Sequence, residues 1–302
     1  PCADLPDYRG TVADLFEVVR TQKIEMLVLA QDVQDAEEVR RIMLLADNFH
    51  LRVEAVPVYN DFVTARSELD SIGGMRYMDL RLMNTCDIMG VNIVVTDMNK
   101  TLRLIEEKLE DWRGKYICVA NVHTTVTAHD DPDYQKVQNG AVMALPDGGP
   151  LSKYSRQQGY VDAARVTGPD LMKELLKESK TKHYRHYFYG STQKTLDVLR
   201  EKVTENYPGA VIAGMYSPPF RPLTPEEDED VVRMINEAKP DFVWVGLGAP
   251  KQERWMAVHE DRVQALMVGV GAAFDYEAGN IRRAPQWMQK HNLEWLYRLM
   301  QD

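Results

Sequence analysis

Several groups able to carry charge or hold phosphate stand just after short apolar runs in this chain. In "AVMALPDGG" the run Ala141–Pro146 is followed by one carboxylate, Asp147, and then by Gly148 and Gly149. In open α/β sheets ligands sit beyond the carboxyl ends of the strands, so a lone acid there stands where a substrate would be. Small residues beside it let backbone approach a ligand closely. Pro-Asp-Gly taken alone is also a good turn. In "YFYGSTQKTLDVLREKV", Gly190, Ser191 and Thr192 lead from a strand-like run into an amphipathic helix. Free N–H groups and hydroxyls at a helix start suit a phosphate, and they equally suit an ordinary N-cap. The Gly-x-x-x-x-Gly-Lys-Ser/Thr pattern of a P-loop is absent.

"VWVGLGAPKQERW" is more specific. Gly246 and Gly248 end a buried run, and Lys251, Gln252 and Glu253 follow without a spacer. Lys251 occupies the third glycine position of the dinucleotide fingerprint, so that motif is not met. Gln and Glu can read hydroxyls or a base edge, and Lys can neutralise phosphate. The same three residues also read as solvated charges at a helix start. In "GVGAAFDYEAGNIRRAPQW", Gly269 and Gly271 end another run, with Asp275, Arg282 and Arg283 after it. His123, in "ANVHTTV", lies just past a strand-like run, as a ligand contact or a helix-start histidine. Two Asp-x-Asp matches are set aside. Asp228–Asp230 follows Thr224 and Pro225, an N-cap and N1 pair that favours acids in the first turn, and Asp131–Asp133 reads as a turn. The seven histidines show no metal-ligand spacing.

These residues need a scaffold that brings strand ends together. Apolar strand-like runs alternate with helical ones throughout, which predicts an α/β fold with mainly parallel sheets flanked by helices. A small Rossmann-like unit covers residues 1–85. It has strands over Ile24–Ala30 and Leu51–Val58, and a helix between them with Val39, Ile42, Met43 and Ala46 on one face. A polar stretch with Gly73 and Gly74 follows and reads as loop or turn. A larger unit covers residues 86–302. In it Thr96 or Asp97 caps a helix, and strands run through "KYICVAN", "AVMALP", "HYFYGS", "AVIAGMY", "DFVWVG" and "ALMVGVG". The terminal helix carries Trp287, Trp295, Leu296 and Leu299 beside Lys290 and Arg298. It reads as a docking helix, or as a basic face for a membrane or diphosphate.

The chain has 302 residues, enough for one large or two modest domains. A net charge of −10 argues against nucleic acid as a partner. Cys2, Cys86 and Cys118 are too few and too scattered for a disulfide frame or a zinc site, which fits a reducing cytoplasm. No run of about 18 apolar residues and no signal-peptide pattern occurs. The chain opens on Pro1 rather than Met, which leaves a preceding segment, even a membrane anchor, open.

From about Ile88 onward the ordered segments "NVH", "PDGGPL", "RVTGPDL", "FYGS", "YSPPFRPLTPEED", "VGLGAPKQERWM", "GVGAAFDYEAG" and "RAPQWMQKHNLEWLYRL" resemble the WecG/TagA/CpsF family of bacterial glycosyltransferases. The resemblance implies a peripheral enzyme at the cytoplasmic face of the membrane, acting in the synthesis of wall polymer, capsule or exopolysaccharide. It would move a sugar from a UDP-sugar to a polyprenyl-diphosphate-linked acceptor with inversion, using no metal and no cofactor. It implies Asp147 as general base, Arg165 and Gln252 in the same pocket, and Asn121 as the strand-end asparagine. It carries Tyr216 and the rim residues His123, Gly148, Gly190, Ser191, Gly246, Gly248, Lys251, Glu253, Gly271, Asp275 and Arg283 as substrate contacts. A homo-oligomer stays open.

The family's threonine two residues before the asparagine is Val119 here, with Thr124 or Thr125 as substitutes for its hydroxyl. The resemblance also implies an arginine-rich tail after residue 302. Residues 1–85 are similar in pattern to the small domain that follows membrane helices in polyprenyl-phosphate sugar-phosphate transferases, where it would serve as spacer or regulator. Two other readings compete with the transferase: a catalytically weak sugar-nucleotide-binding module, and a nicotinamide-dependent oxidoreductase. The missing G-x-G-x-x-G counts against the second.

Overall fold

The computed structural model describes residues 83–285 without a break, together with 15–21, 26–29, 52–55, 69–72, 75–79 and the single positions 42, 46, 288 and 297. The chain divides into two compact units, Pro1–Met83 and Asn84–Asp302.

The first unit contains α1 (Leu15–Thr21), β1 (Met26–Leu29), β2 (Arg52–Ala55), β3 (Leu69–Ile72) and β4 (Met75–Asp79). Its sheet runs β1-β2-β4-β3, with β1 and β2 parallel and β4 antiparallel to both its neighbours. Ile42 and Ala46 are helical and buried one turn apart, as the expected helical face requires, while Val39 and Met43 lie outside the described residues. Strands flank the polar stretch expected as loop or turn, whose Gly73 and Gly74 lie outside the described residues. Leu69 pairs with Met78 and Ile72 with Met75, so strands stand on both sides of the two glycines.

The second unit opens with a hairpin, β5 (Thr85–Ile88) and β6 (Val91–Val94), followed by α2 (Met98–Lys108). Asp97, not Thr96, caps α2 by accepting from the Lys100 N–H at 2.9 Å. Six strands then alternate with helices: β7 (Tyr116–Ala120), α3 (Val122–Asp130), α4 (Pro132–Gly140), β8 (Met143–Pro146), α5 (Gly149–Gln157), α6 (Gly168–Lys182), β9 (Arg185–Gly190), α7 (Gln193–Asn206), β10 (Val211–Tyr216), α8 (Pro225–Glu237), β11 (Phe242–Gly246), α9 (Lys251–Val258), β12 (Leu266–Gly269) and α10 (Ala273–Ala278). They form one parallel sheet in the order β10-β9-β11-β12-β7-β8.

The sheet is covered on both faces, which is why its strands read as unbroken apolar runs rather than alternating ones. In β11, Val243 and Val245 face a core with Tyr187, Tyr189, Met256 and Met267. Phe242 and Trp244 turn to the other side, where His186 stacks against both rings. All four of those β11 residues are fully buried, each contributing about 1.5–3 kcal/mol through removal of its side chain from water. Because all six strands are parallel, their carboxyl ends share one edge. Register fixes that edge: Ala120 lies beside Pro146, and Gly246 beside Gly190. Of the expected terminal helix, Met288 and Tyr297 are helical; Trp287, Lys290, Trp295, Leu296, Arg298 and Leu299 lie outside the described residues.

Candidate active site

The residue after β7 is Asn121, and it starts α3. Its Oδ1 accepts the Thr124 N–H at 3.1 Å, and the Thr124 hydroxyl accepts the Asn121 N–H at 2.9 Å. The Thr124 and Thr125 hydroxyls both donate to the Asn121 carbonyl, at 3.0 and 2.8 Å. Those hydroxyls hold the cap. Val119, two residues earlier, is buried in the strand. His123 is exposed on the first turn of α3.

Beside Asn121, at the end of β8, stands Asp147. Its N–H donates to the Ala120 carbonyl at 2.8 Å, which fixes the acid next to the start of α3. Gly148 packs so closely that a Cβ there would lie 3.4 Å from Asn121 Cα. The Asp147 side chain keeps 26% of its surface open, so the carboxylate is held on the rim rather than sealed inside. Arg165 comes to it from the loop between α5 and α6. Its Nε donates to the Asp147 carbonyl at 2.5 Å, and Nη2 lies 3.6 Å from Oδ1. That loop is pinned on both sides, by Ala164 N–H to Thr96 and Val166 N–H to Pro146, each at 2.9 Å. The planar guanidinium fork thus addresses the backbone and the side chain of one residue.

Across the edge, Gly190 ends β9 with φ +125°, and a Cβ there would meet the Gly246 carbonyl oxygen at 2.4 Å. Only glycine allows the two strand ends to lie this close. Ser191 adopts the left-handed conformation, φ 58°, and its N–H donates to the same carbonyl at 3.1 Å. Thr192 then caps α7. Tyr216, at the end of β10, is half-buried and stacks on Tyr189, which stacks on Trp255. Gly248 and Gly271 both have positive φ, and among the described residues nothing lies within 4 Å of where their side chains would begin. Lys251 is exposed at the first position of α9. Helices α3, α5, α7, α9 and α10 therefore all begin within a few residues of the same sheet edge. Their N-terminal N–H groups give that edge a positive field suited to a diphosphate.

Four of the expected contact residues have partners within the fold. Glu253 is fully buried, because it shares an inward helical face with Met256 three residues on. Its oxygen Oε1 accepts from Gln252 Nε2 at 2.8 Å. Gln252 is itself only 3% exposed, and its Oε1 accepts the Gly271 N–H at 3.1 Å, so it braces the rim from below. Asp275 turns Oδ1 to Asn280 Nδ2 at 3.0 Å and to the Thr195 hydroxyl at 3.4 Å, an interaction that seats α10 on α7. Arg283 grips both oxygens of Asp170 in the first turn of α6, at 2.5 and 2.7 Å. Although burial opposes it, that grip and the Thr167 hydroxyl hold the Asp170 carboxyl below its usual range. Sequence reasoning did not single out Asp170 or Thr167. The signal available was "TGPD", a cap residue followed by proline and an acid, which marks a helix start.

The two Asp-x-Asp segments serve the fold. Thr224 and Glu227 form a capping box at α8, as Thr224 and Pro225 predict, and Asp228 contacts His259 Nε2 at 3.0 Å and Arg262 at 2.9 Å. Asp131, read as a turn, instead caps α4 and pairs with Arg254.

Comparison with known proteins supplies the chemistry that such an edge carries. The family model for the "Glycosyl transferase WecG/TagA/CpsF family" matches residues 86–302. A protein of Bacillus spizizenii named N-acetylglucosaminyldiphosphoundecaprenol N-acetyl-beta-D-mannosaminyltransferase is 32% identical over 222 residues, covering 72% of this chain and 84% of that protein. Its namesake in Bacillus subtilis is also 32% identical with the same coverage, and that of Staphylococcus aureus strain MW2 is 31% identical over 219 residues. The chain belongs to the WecG/TagA/CpsF family of glycosyl transferases.

Proposed function

We propose that this chain moves an N-acetylhexosamine from its UDP-activated form to a hydroxyl of a polyprenyl-diphosphate-linked sugar, in one inverting displacement. The observation that carries this reading is Asp147, a partly open carboxylate at a shared strand edge, gripped by Arg165 and flanked by glycine. The names of the relatives support the acceptor class and make N-acetylmannosamine the first donor to try.

The acceptor oxygen attacks the anomeric carbon. The new C–O bond forms as the bond from that carbon to the β-phosphate oxygen breaks. UDP leaves with the electron pair, and the acceptor's proton passes to the Asp147 carboxylate. The departing diphosphate gains negative charge, and on this reading the starts of α7 and α9 and the exposed Lys251 offset it. With a lipid-linked acceptor the reaction takes place at a membrane surface, on the cytoplasmic side where nucleotide sugars are made. Among the described residues no helix is long and apolar enough to cross a membrane.

The test is a donor screen with a soluble polyprenyl-diphosphate N-acetylglucosamine analogue, following UDP release and disaccharide product. Acceptor-dependent UDP release supports the transferase. Tight binding of a UDP-sugar with no release under any acceptor assigns the chain to the binding-module reading instead.

A further inference from the structure

A buried polar chain runs inward from the rim and ends on an acid that the displacement does not use. Gly271 N–H donates to Gln252 Oε1 at 3.1 Å, and Gln252 Nε2 donates to Glu253 Oε1 at 2.8 Å. The Gln252 side chain lies across the strand end, since a Cβ on Gly269 would sit 3.1 Å from its Nε2. The Gly271 carbonyl in turn lies 3.4 Å from where a Gly246 side chain would begin. One amide thus sets the spacing of the turns after β11 and β12. Glu253 is fully buried, and besides Gln252 the Tyr134 phenol of α4 lies close enough to favour its charged form. An acid this deep is costly unless its polar neighbours offset the burial. Burial pushes its carboxyl above the usual carboxylate range. The adjoining Tyr134, on α4, is buried too, and its phenol accepts from Gln138 Nε2 at 2.8 Å.

We propose that Glu253 is a positioning residue for the transfer reaction: its Oε1 fixes the Gln252 amide, and the Gln252 amide fixes the Gly271 N–H at the ligand-facing edge. A Gln252 amide without this acceptor would be free to rotate, and the Gly271 turn, at positive φ, would lose the side-chain acceptor that holds its N–H. The proposal rests on the transfer reaction above for its kinetic arm and on the geometry alone for its exchange arm.

Two variants separate the acceptor from the charge. Glu253→Gln keeps an acceptor oxygen at the Oε1 position, and Glu253→Met keeps the volume without it. The measurements are kcat and KM for the donor, the thermal midpoint, and amide hydrogen exchange over residues 269–272 without substrate. Glu253→Gln is expected to keep wild-type exchange and near wild-type turnover. Glu253→Met is expected to speed exchange at Gly271 and to lower kcat roughly tenfold or more, as misplacement of an active-site edge does. Its thermal midpoint should stay close to that of the wild type, because the cost of burying the acid is lost together with its hydrogen bonds. The double variant Gln252→Met, Glu253→Met should lose no more than the worse single one. Unchanged exchange at Gly271 in Glu253→Met would overturn the proposal, and so would a Glu253→Gln variant as impaired as Glu253→Met. A wild-type chain that transfers no sugar would remove the proposed function while leaving the exchange result to stand or fall by itself.

Discussion

Acidification should weaken the transferase unit through one buried imidazole. His186 is fully buried in β9. Trp244 Nε1 donates to its Nδ1 at 3.0 Å, which places the ring proton on Nε2, facing the Ser179 oxygen at 2.8 Å. The Ser179 hydroxyl donates onward to the Leu175 carbonyl at 2.8 Å. A second proton, on Nδ1, would set N–H against N–H among stacked rings. Burial accordingly pushes the imidazole down from 6.5 to about 3. The unfolded chain binds this proton first as pH falls, so the stability is complete above pH 6.5 and declines from there toward pH 3. With those two values, the loss between pH 7 and pH 5 is about 2 kcal/mol, at roughly 1.4 kcal/mol per unit once below 6.5. Urea denaturation followed by tryptophan fluorescence at pH 7, 6 and 5 reads it. Comparison with His186→Gln isolates it from other titrations, since glutamine can accept from Trp244 and donate to Ser179 without charging. The variant should show a pH dependence shallower by about 2 kcal/mol over that range. Identical slopes in the two proteins would refute the reasoning.

Two further outcomes follow from the edge itself. Gly190→Ala places a methyl 2.4 Å from the Gly246 carbonyl at φ +125°, and should cost about 3 kcal/mol or more in urea denaturation, because backbone cannot yield as a flexible side chain would; wild-type stability would count against the closeness of β9 and β11. Arg165→Lys keeps the charge but loses the fork that reaches both the Asp147 carbonyl and its carboxylate. Turnover should fall roughly tenfold or more with little change in thermal midpoint, and an unchanged kcat would remove Arg165 from the site.

Much of this architecture was legible because strand ends advertise themselves. The runs ending at Ala120, Pro146, Gly190, Gly246 and Gly269 are apolar on both faces and stop at small or polar residues. Only a parallel sheet with helices on each side explains both features. Thr224 was readable as a cap, and the cap of α2 was narrowed to Thr96 or Asp97, because a capping side chain bonds backbone within three residues, a purely local event. Contacts set by tertiary packing were harder to read. Glu253 follows Gln252 in a charged cluster, "KQER", that looks solvated, and only Met256 on the same helical face pointed inward. Arg283 and Asp170 are 113 residues apart, and no pattern in either segment announces their pairing. The hairpin of β3 and β4 was masked by polar residues, since a strand in a small sheet need not be continuously apolar.

The central claim is that Asp147 removes the acceptor's proton, and Asp147→Asn tests it most directly when turnover and donor binding are measured on the same preparation. Asparagine keeps the size and the backbone contacts to Ala120 and Arg165 while losing the basic oxygen. Product formation should fall roughly a hundredfold or more, with UDP-sugar affinity and thermal midpoint close to those of the unaltered chain. Sugar transfer by that variant at the unaltered rate would contradict the account.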